Sequence, residues 1–140
     1  MSARFFLDSN VFIYSFDSTA PGKARRAADL IREAHSSHKG VVSFQVIQEF
    51  FNFALRRSVP PMTAADAGIY LSTVFQPLPT IQSSLELYRQ ALSIHDRHRI
   101  SWYDALIVAA AVSADCPVLF SEDLQDGQKF EQTRVRNPFR

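Results

Sequence analysis

Short, uninterrupted apolar runs punctuate the chain, and longer stretches of helical spacing lie between them. Residues 4–7 are the first run and predict a buried strand. The run stops at Asp8-Ser9-Asn10, and apolar spacing resumes over residues 10–16 as a short helix. Ser18-Thr19-Ala20-Pro21 then signals a helix start, with proline near the first helical position. Ala24, Ala27, Ala28, Ile31 and Ala34 recur at helical spacing after it, and Gly40 closes that unit. Val41-Val42-Ser43 predicts a short buried strand, and Ser43 caps a helix over about 44–57 that Pro60-Pro61 breaks. Thr63 caps a further helix reaching about Phe75, ended by Pro77 and Pro79.

The second half continues the alternation. Residues 80–82 predict a weak strand, and residues 84–98 a helix with Leu85, Tyr88, Leu92 and His95 on one side. Ser101 opens a helix from Tyr103 to about Ala114. Its run from Ala105 to Val112 is apolar all round, so deep burial is expected. Val118-Leu119-Phe120 is another apolar strand, ending at Ser121-Glu122-Asp123. A loop rich in Asp, Gly and Gln leads to Arg134-Val135-Arg136 as a last strand. Short apolar strands alternating with helices predict a mainly parallel sheet covered on both faces by helices joined through right-handed crossovers. The expected fold is an α/β three-layer α/β/α sandwich, and 140 residues suit a single domain over 1–140.

Composition narrows the function classes. Hydrophobic residues make up 46%, which excludes a disordered chain. No apolar run approaches the ~20 residues of a membrane span, and the N-terminus shows no signal-peptide pattern. A cytoplasmic protein is expected, and the lone Cys116 reads as a buried, inert thiol. Net charge is +1, which gives no general nucleic-acid coat. However, arginine supplies 12 of the 15 basic residues, and its planar fork suits phosphate.

Four carboxylates stand out by context: Asp8, Glu49, Asp104 and Asp123. Asp8 ends a buried strand, where it either caps the next helix or serves chemistry. Glu49 falls off the apolar stripe of Val46, Ile47, Phe50, Phe51, Ala54 and Leu55, and is either a solvated surface acid or a site residue. Asp104 fits a capping box with Ser101 and is also fixed at the edge of the most apolar helix. Asp123 follows a buried strand as Asp8 does, with Asp126 a rival for the same role. Strand ends and helix starts of a parallel sheet meet at one rim. Carboxylates gathered there repel unless a divalent cation neutralises them, and all-oxygen ligands favour Mg²⁺ or Mn²⁺. Acid-held Mg²⁺ serves phosphodiester cleavage. The pairs His35/His38 and His95/His98 have metal-compatible spacing but no third ligand, and no glycine-rich phosphate loop exists.

These stretches resemble the PIN-domain nucleases, and among them the VapC-type toxins of bacterial toxin–antitoxin pairs. The resemblance rests on Phe6 to Tyr14, Val46 to Phe50, Trp102 to Ala111, Leu119 to Gly127 and the tail Val135 to Phe139. It implies a PIN-like fold and a metal-dependent endoribonuclease with Mg²⁺ or Mn²⁺ as cofactor. Asp8, Glu49 and Asp104 take the family's catalytic metal-ligand positions, and Asp123 takes the fourth in preference to Asp126. Asn10 and Ser121 match polar positions that orient water or the acids. A small antitoxin partner, an RNA substrate and a homodimer are further expectations. Two other readings compete: a non-catalytic PIN-like binding module, and a haloacid-dehalogenase-type phosphatase. The second would use Asp8 but wants an acid where this chain has Asn10.

Overall fold

The computed structural model describes residues 3–140. Strand β1 (Phe5–Leu7) is wholly buried and passes through Asp8 into helix α1 (Ser9–Tyr14). Helix α2 (Pro21–Ser37) starts on its proline and buries Ala27, Leu30 and Ala34. Next come β2 (Gly40–Ser43) and α3 (Phe44–Arg56), whose cap Ser43 accepts from the Val46 N–H. Thr63 caps α4 (Ala64–Tyr70). The helix expected as far as Phe75 loosens into a π-helical turn over Leu71–Phe75, which lets Phe75 reach the core. After β3 (Thr80–Ile81), α5 (Leu85–His98) and α6 (Trp102–Ser113) are capped by Ser84 and Ser101. Strand β4 (Val118–Phe120) and the hairpin of β5 (Lys129–Phe130) and β6 (Thr133–Arg136) complete the chain.

Among the described residues, the six strands form one sheet in the order β3-β2-β1-β4-β6-β5. All pairings are parallel except β5 with β6. The strand β5 was not expected, because its loop is polar and Phe130 is its sole apolar residue. The ring of Phe130 is nevertheless fully buried. Glu131 at φ 53 makes the left-handed turn that folds β5 back on β6.

The chain leaves β1 in one direction, through β2 to β3, and then returns across both to β4. With right-handed crossovers this reversal puts α1–α4 on one face and α5–α6 on the other. The layers are those of an α/β/α sandwich. An aromatic cluster binds the first face: Phe50 stacks on Tyr70 at 4.6 Å, and Phe12 packs against Phe75 at 4.8 Å. Thus α1 and α3, the carriers of Asp8's neighbours and of Glu49, are held side by side. On the opposite face α6 is buried along Ala105–Ala111, as its all-round apolarity requires.

One helix faces the other way from its expected side. Helix α5 buries Leu87, Ala91 and Ile94, while Leu85 and Leu92 are 70% and 56% exposed. Two apolar stripes compete on this helix, and the one with the small Ala91 permits close packing on α6.

Candidate active site

The strand order reverses between β1 and β4, and in parallel sheets such a point opens a crevice at the carboxyl ends of the strands. Asp8 stands there. Its N–H bonds the Phe120 carbonyl at 3.0 Å, so the turns after β1 and β4 start in register. Its side chain accepts from the Ser9 N–H at 2.7 Å, as a helix cap does, and also from the Ser121 hydroxyl at 2.7 Å. The capping reading of Asp8 is realised, and its second oxygen is held by Ser121 across the strand-order reversal. Burial, offset in part by those two donors and reinforced by the charges of Glu49 and Asp123, pushes its carboxyl up to about 7.

Glu49 reaches the same place from α3. The Ser9 hydroxyl donates to its Oε1 at 3.0 Å, and Gln45 Nε2 donates to its Oε2 at 3.2 Å. The same Gln45 nitrogen donates to the Tyr103 carbonyl at 3.2 Å, which ties α3 to the first turn of α6 beside Asp104. Glu49 is thus no free surface acid. The buried face of α3 is turned toward it relative to the expected stripe: Gln45 is buried and Leu55 is 43% exposed.

Asp104 sits one turn into α6, where the Ser101 hydroxyl accepts from its N–H at 3.2 Å. Partial burial raises its carboxyl above the usual range, the Ser101 hydroxyl opposes this, and the charge of Asp123 adds to it. Asp123 accepts from Asn10 Nδ2 at 3.3 Å, and its N–H donates to the Ser121 hydroxyl at 3.2 Å. The rival Asp126 is engaged elsewhere: it accepts from the Asn137 N–H at 2.8 Å and so holds the tail. Asp123, not Asp126, is the acid that shares a hydrogen-bond network with Asp8.

The acids form an electrostatic chain from Glu49 through Asp8 and Asp123 to Asp104. Among the described residues, no three His, Cys, Asp or Glu side chains already stand close enough to cage a metal ion. The donor set nevertheless fits a hard cation that keeps much of its water, as Mg²⁺ does. Two further oxygens favour an electropositive guest. Among the described residues, the buried side-chain polar atoms without a partner are Asn10 Oδ1 and Gln45 Oε1. Each amide gives its nitrogen to a site carboxylate and leaves its oxygen beside the same acids.

Sequence reasoning missed Ser9 and Gln45 as organisers of the acids. The available signal was spacing: Gln45 lies four residues before Glu49 and shares its helix face. The histidine pairs form no site. His35 donates to the Val74 carbonyl at 2.8 Å, His95 to the Ile100 carbonyl at 2.6 Å, and His98 packs on Phe130. Cys116 is buried, and desolvation pushes its thiol up to about 11, as expected of an inert side chain.

Beyond the acids, a groove of about 740 Å³ runs between α1, α3 and α4, lined by Ile13, Phe16, Phe53, Val59, Ile69 and Tyr70. Ile13 and Phe53 follow Ser9 and Glu49 by one helical turn, so the groove begins next to the site.

Solved structures share this fold. A chain of a toxin–antitoxin complex from Klebsiella pneumoniae is 16% identical with a TM-score of 0.70, the match covering 98% of each chain. A chain of a DNA-bound VapBC from Salmonella typhimurium is 15% identical with a TM-score of 0.67, covering 98% of this chain and 99% of that one. VapC20 of Mycobacterium tuberculosis, a toxin that cleaves the sarcin-ricin loop, is 23% identical with a TM-score of 0.56, covering 85% of this chain and 91% of its own. No curated protein sequence matches. The family model of the PIN domain matches residues 5–132, a span that holds all four acids, and the chain belongs to the PIN-domain family.

Proposed function

We propose that this protein is a divalent-cation-dependent endoribonuclease of the VapC type, acting as the toxin of a toxin–antitoxin pair. The observation that carries the reading is the Ser121–Asp8 hydrogen bond at the strand-order reversal, which ties the acid at the end of β1 to the turn after β4 that bears Asp123. Asp8, Glu49, Asp104 and Asp123 would hold the cation, Mg²⁺ or Mn²⁺. Bound there, the cation supplies polarisation of the scissile phosphate, an acidified water and charge for the leaving oxygen.

The protein's own groups prepare that chemistry. Ser9 bridges α1 and α3 by donating to Glu49 while its N–H holds Asp8. Asn10 and Gln45 fix the carboxylates of Asp123 and Glu49, so neither must reorganise when charge develops. Asn10 also argues against the phosphatase alternative, since an amide cannot act as the second acid of that chemistry.

The apolar groove supports a protein partner. Phe16 and Ile69 are 49% and 62% exposed on its walls, and an apolar antitoxin segment laid in it would end one turn from the acids. Self-association as a homodimer belongs to the same reading, supported by exposed Leu85 and Leu92 on α5.

Expression of wild type and Asp8→Asn, followed by mapping of new RNA 5′ ends, tests the proposal. New ends with wild type alone, lost in vitro on adding EDTA, are expected. Equal cleavage by the Asn variant, or cleavage that survives EDTA, contradicts it. A phenotype that persists in Asp104→Asn without RNA cleavage would favour the binding-module alternative.

A further inference from the structure

A second polar network lies beside the acids and uses none of them. The Tyr14 hydroxyl donates to Glu122 Oε1 at 2.5 Å, and Lys23 Nζ donates to Glu122 Oε2 at 2.7 Å. Lys23 also donates to the Tyr14 oxygen at 3.3 Å and stands 4.5 Å over the Tyr14 ring. The Tyr14 ring in turn meets Phe139 edge-on at 4.9 Å. The network therefore joins α1, α2, the turn after β4 and the tail.

Its place in the chain gives it a consequence. Glu122 immediately precedes Asp123, and Tyr14 lies one helical turn after Asn10, the residue that donates to Asp123. Asp123 itself is exposed, and its carboxylate is held by a single hydrogen bond of 3.3 Å from Asn10. Ser121 grips the turn on one side of Asp123. The Tyr14–Lys23–Glu122 network grips the other oxygen-bearing neighbour against α1. A glutamate that only solubilised the loop would not need both carboxylate oxygens engaged by two different helices.

We propose that Tyr14, Lys23 and Glu122 form a clamp that positions Asp123 for cation binding, and are positioning residues for the reaction. The inference rests on the nuclease reading above. Supporting groups around metal ligands commonly change metal affinity by 10- to 100-fold. Lys23 and Glu122 are partly exposed, so the clamp is expected to contribute little to the fold.

The test is Mn²⁺ binding by the purified full chain, measured by calorimetry, for wild type, Asp8→Asn, Glu122→Ala, Glu122→Gln and Tyr14→Phe. The clamp predicts that Glu122→Ala weakens Mn²⁺ binding about 10-fold or more. Tyr14→Phe should weaken it by a smaller factor, and Glu122→Gln, which keeps one acceptor oxygen of the two, should fall between Glu122→Ala and wild type. In RNA cleavage at fixed sub-saturating Mn²⁺, kcat should fall in Glu122→Ala with KM for RNA unchanged. If wild type binds Mn²⁺, Asp8→Asn does not, and both Glu122→Ala and Tyr14→Phe bind as wild type does, the clamp is wrong and the nuclease reading stands. If wild type and Asp8→Asn bind Mn²⁺ alike, the metal-site reading itself fails and the clamp falls with it. Should Glu122→Ala not fold, Tyr14→Phe and Lys23→Met carry the same comparison.

Discussion

Asp8 sets the terms at the scale of single residues. It is 5% exposed, faces two other acids and is held by Ser9 and Ser121. Its carboxyl sits at about 7 in the fold against 3.8 ordinarily. Below 3.8 it is protonated in both folded and unfolded chains, and its contribution to stability is fully present. As pH rises through about 7 the fold must hold a buried charge and that contribution is lost, by at most about 4 kcal/mol at ~1.4 kcal/mol per pH unit. In EDTA, the urea midpoint of wild type should therefore fall between pH 6 and pH 8, and that of Asp8→Asn should fall less. Equal slopes for the two proteins would contradict the burial argument. The same substitution that ends cleavage is thus expected to leave a more stable apo-protein at pH 8. The sequence marked Asp8 because an apolar run ended on it. That Ser9 and Gln45 organise the acids was hidden, because a serine after a cap and a glutamine in a helix have no distinctive local pattern.

At the scale of elements, the tightest constraint is where α2 returns to the sheet. Gly40 opens β2 beneath Ala34, and a Cβ on Gly40 would lie 2.2 Å from the Ala34 Cβ and 2.8 Å from its Cα. The second contact is backbone, so the helix itself must move. Gly40→Ala should cost about 1–3 kcal/mol, seen as a lower denaturant midpoint at unchanged slope. A midpoint equal to wild type would show that α2 is free to shift. The capped helices were readable in advance where Ser43, Thr63 and Ser101 advertise their roles locally. The buried side of α5 was not. Leu85 and Leu92 make as good a stripe as Leu87, Ala91 and Ile94 in sequence, and only the neighbour α6 chooses between them. Strand β5 was hidden for a related reason: two residues with one phenylalanine carry no periodicity, and the strand exists because β6 offers an edge.

For the whole molecule, the cation is expected to couple the site to the fold. The acids come from β1's end, α3, α6 and the β4 loop, so binding to the folded arrangement alone stabilises all of them together. At a free Mn²⁺ concentration a hundredfold above its Kd, the gain is about 2.7 kcal/mol. For a chain of this size that corresponds to a rise in Tm of several degrees, readable by calorimetry. Asp8→Asn should show little or none of it, and an equal rise in both proteins would place the ion elsewhere. By itself the sequence determined the order of strands and helices apart from β5, several of their caps, and the candidate acids, because periodicity and capping are local properties of the chain. It also held the family, whose model spans residues 5–132. The family resemblance preferred Asp123 to Asp126, and the tertiary structure gives the two acids different partners. Asp123 and Asp126 are alike in sequence, but the turn after β4 offers Asp123 to Asn10 and Asp126 to the tail. Only the tertiary structure decided that Tyr14, Lys23 and Glu122 meet, across 99 residues from lysine to glutamate, because only the reversal between β1 and β4 brings their elements together. Contacts of that separation depend on strand order and crossover hand, which no local pattern encodes.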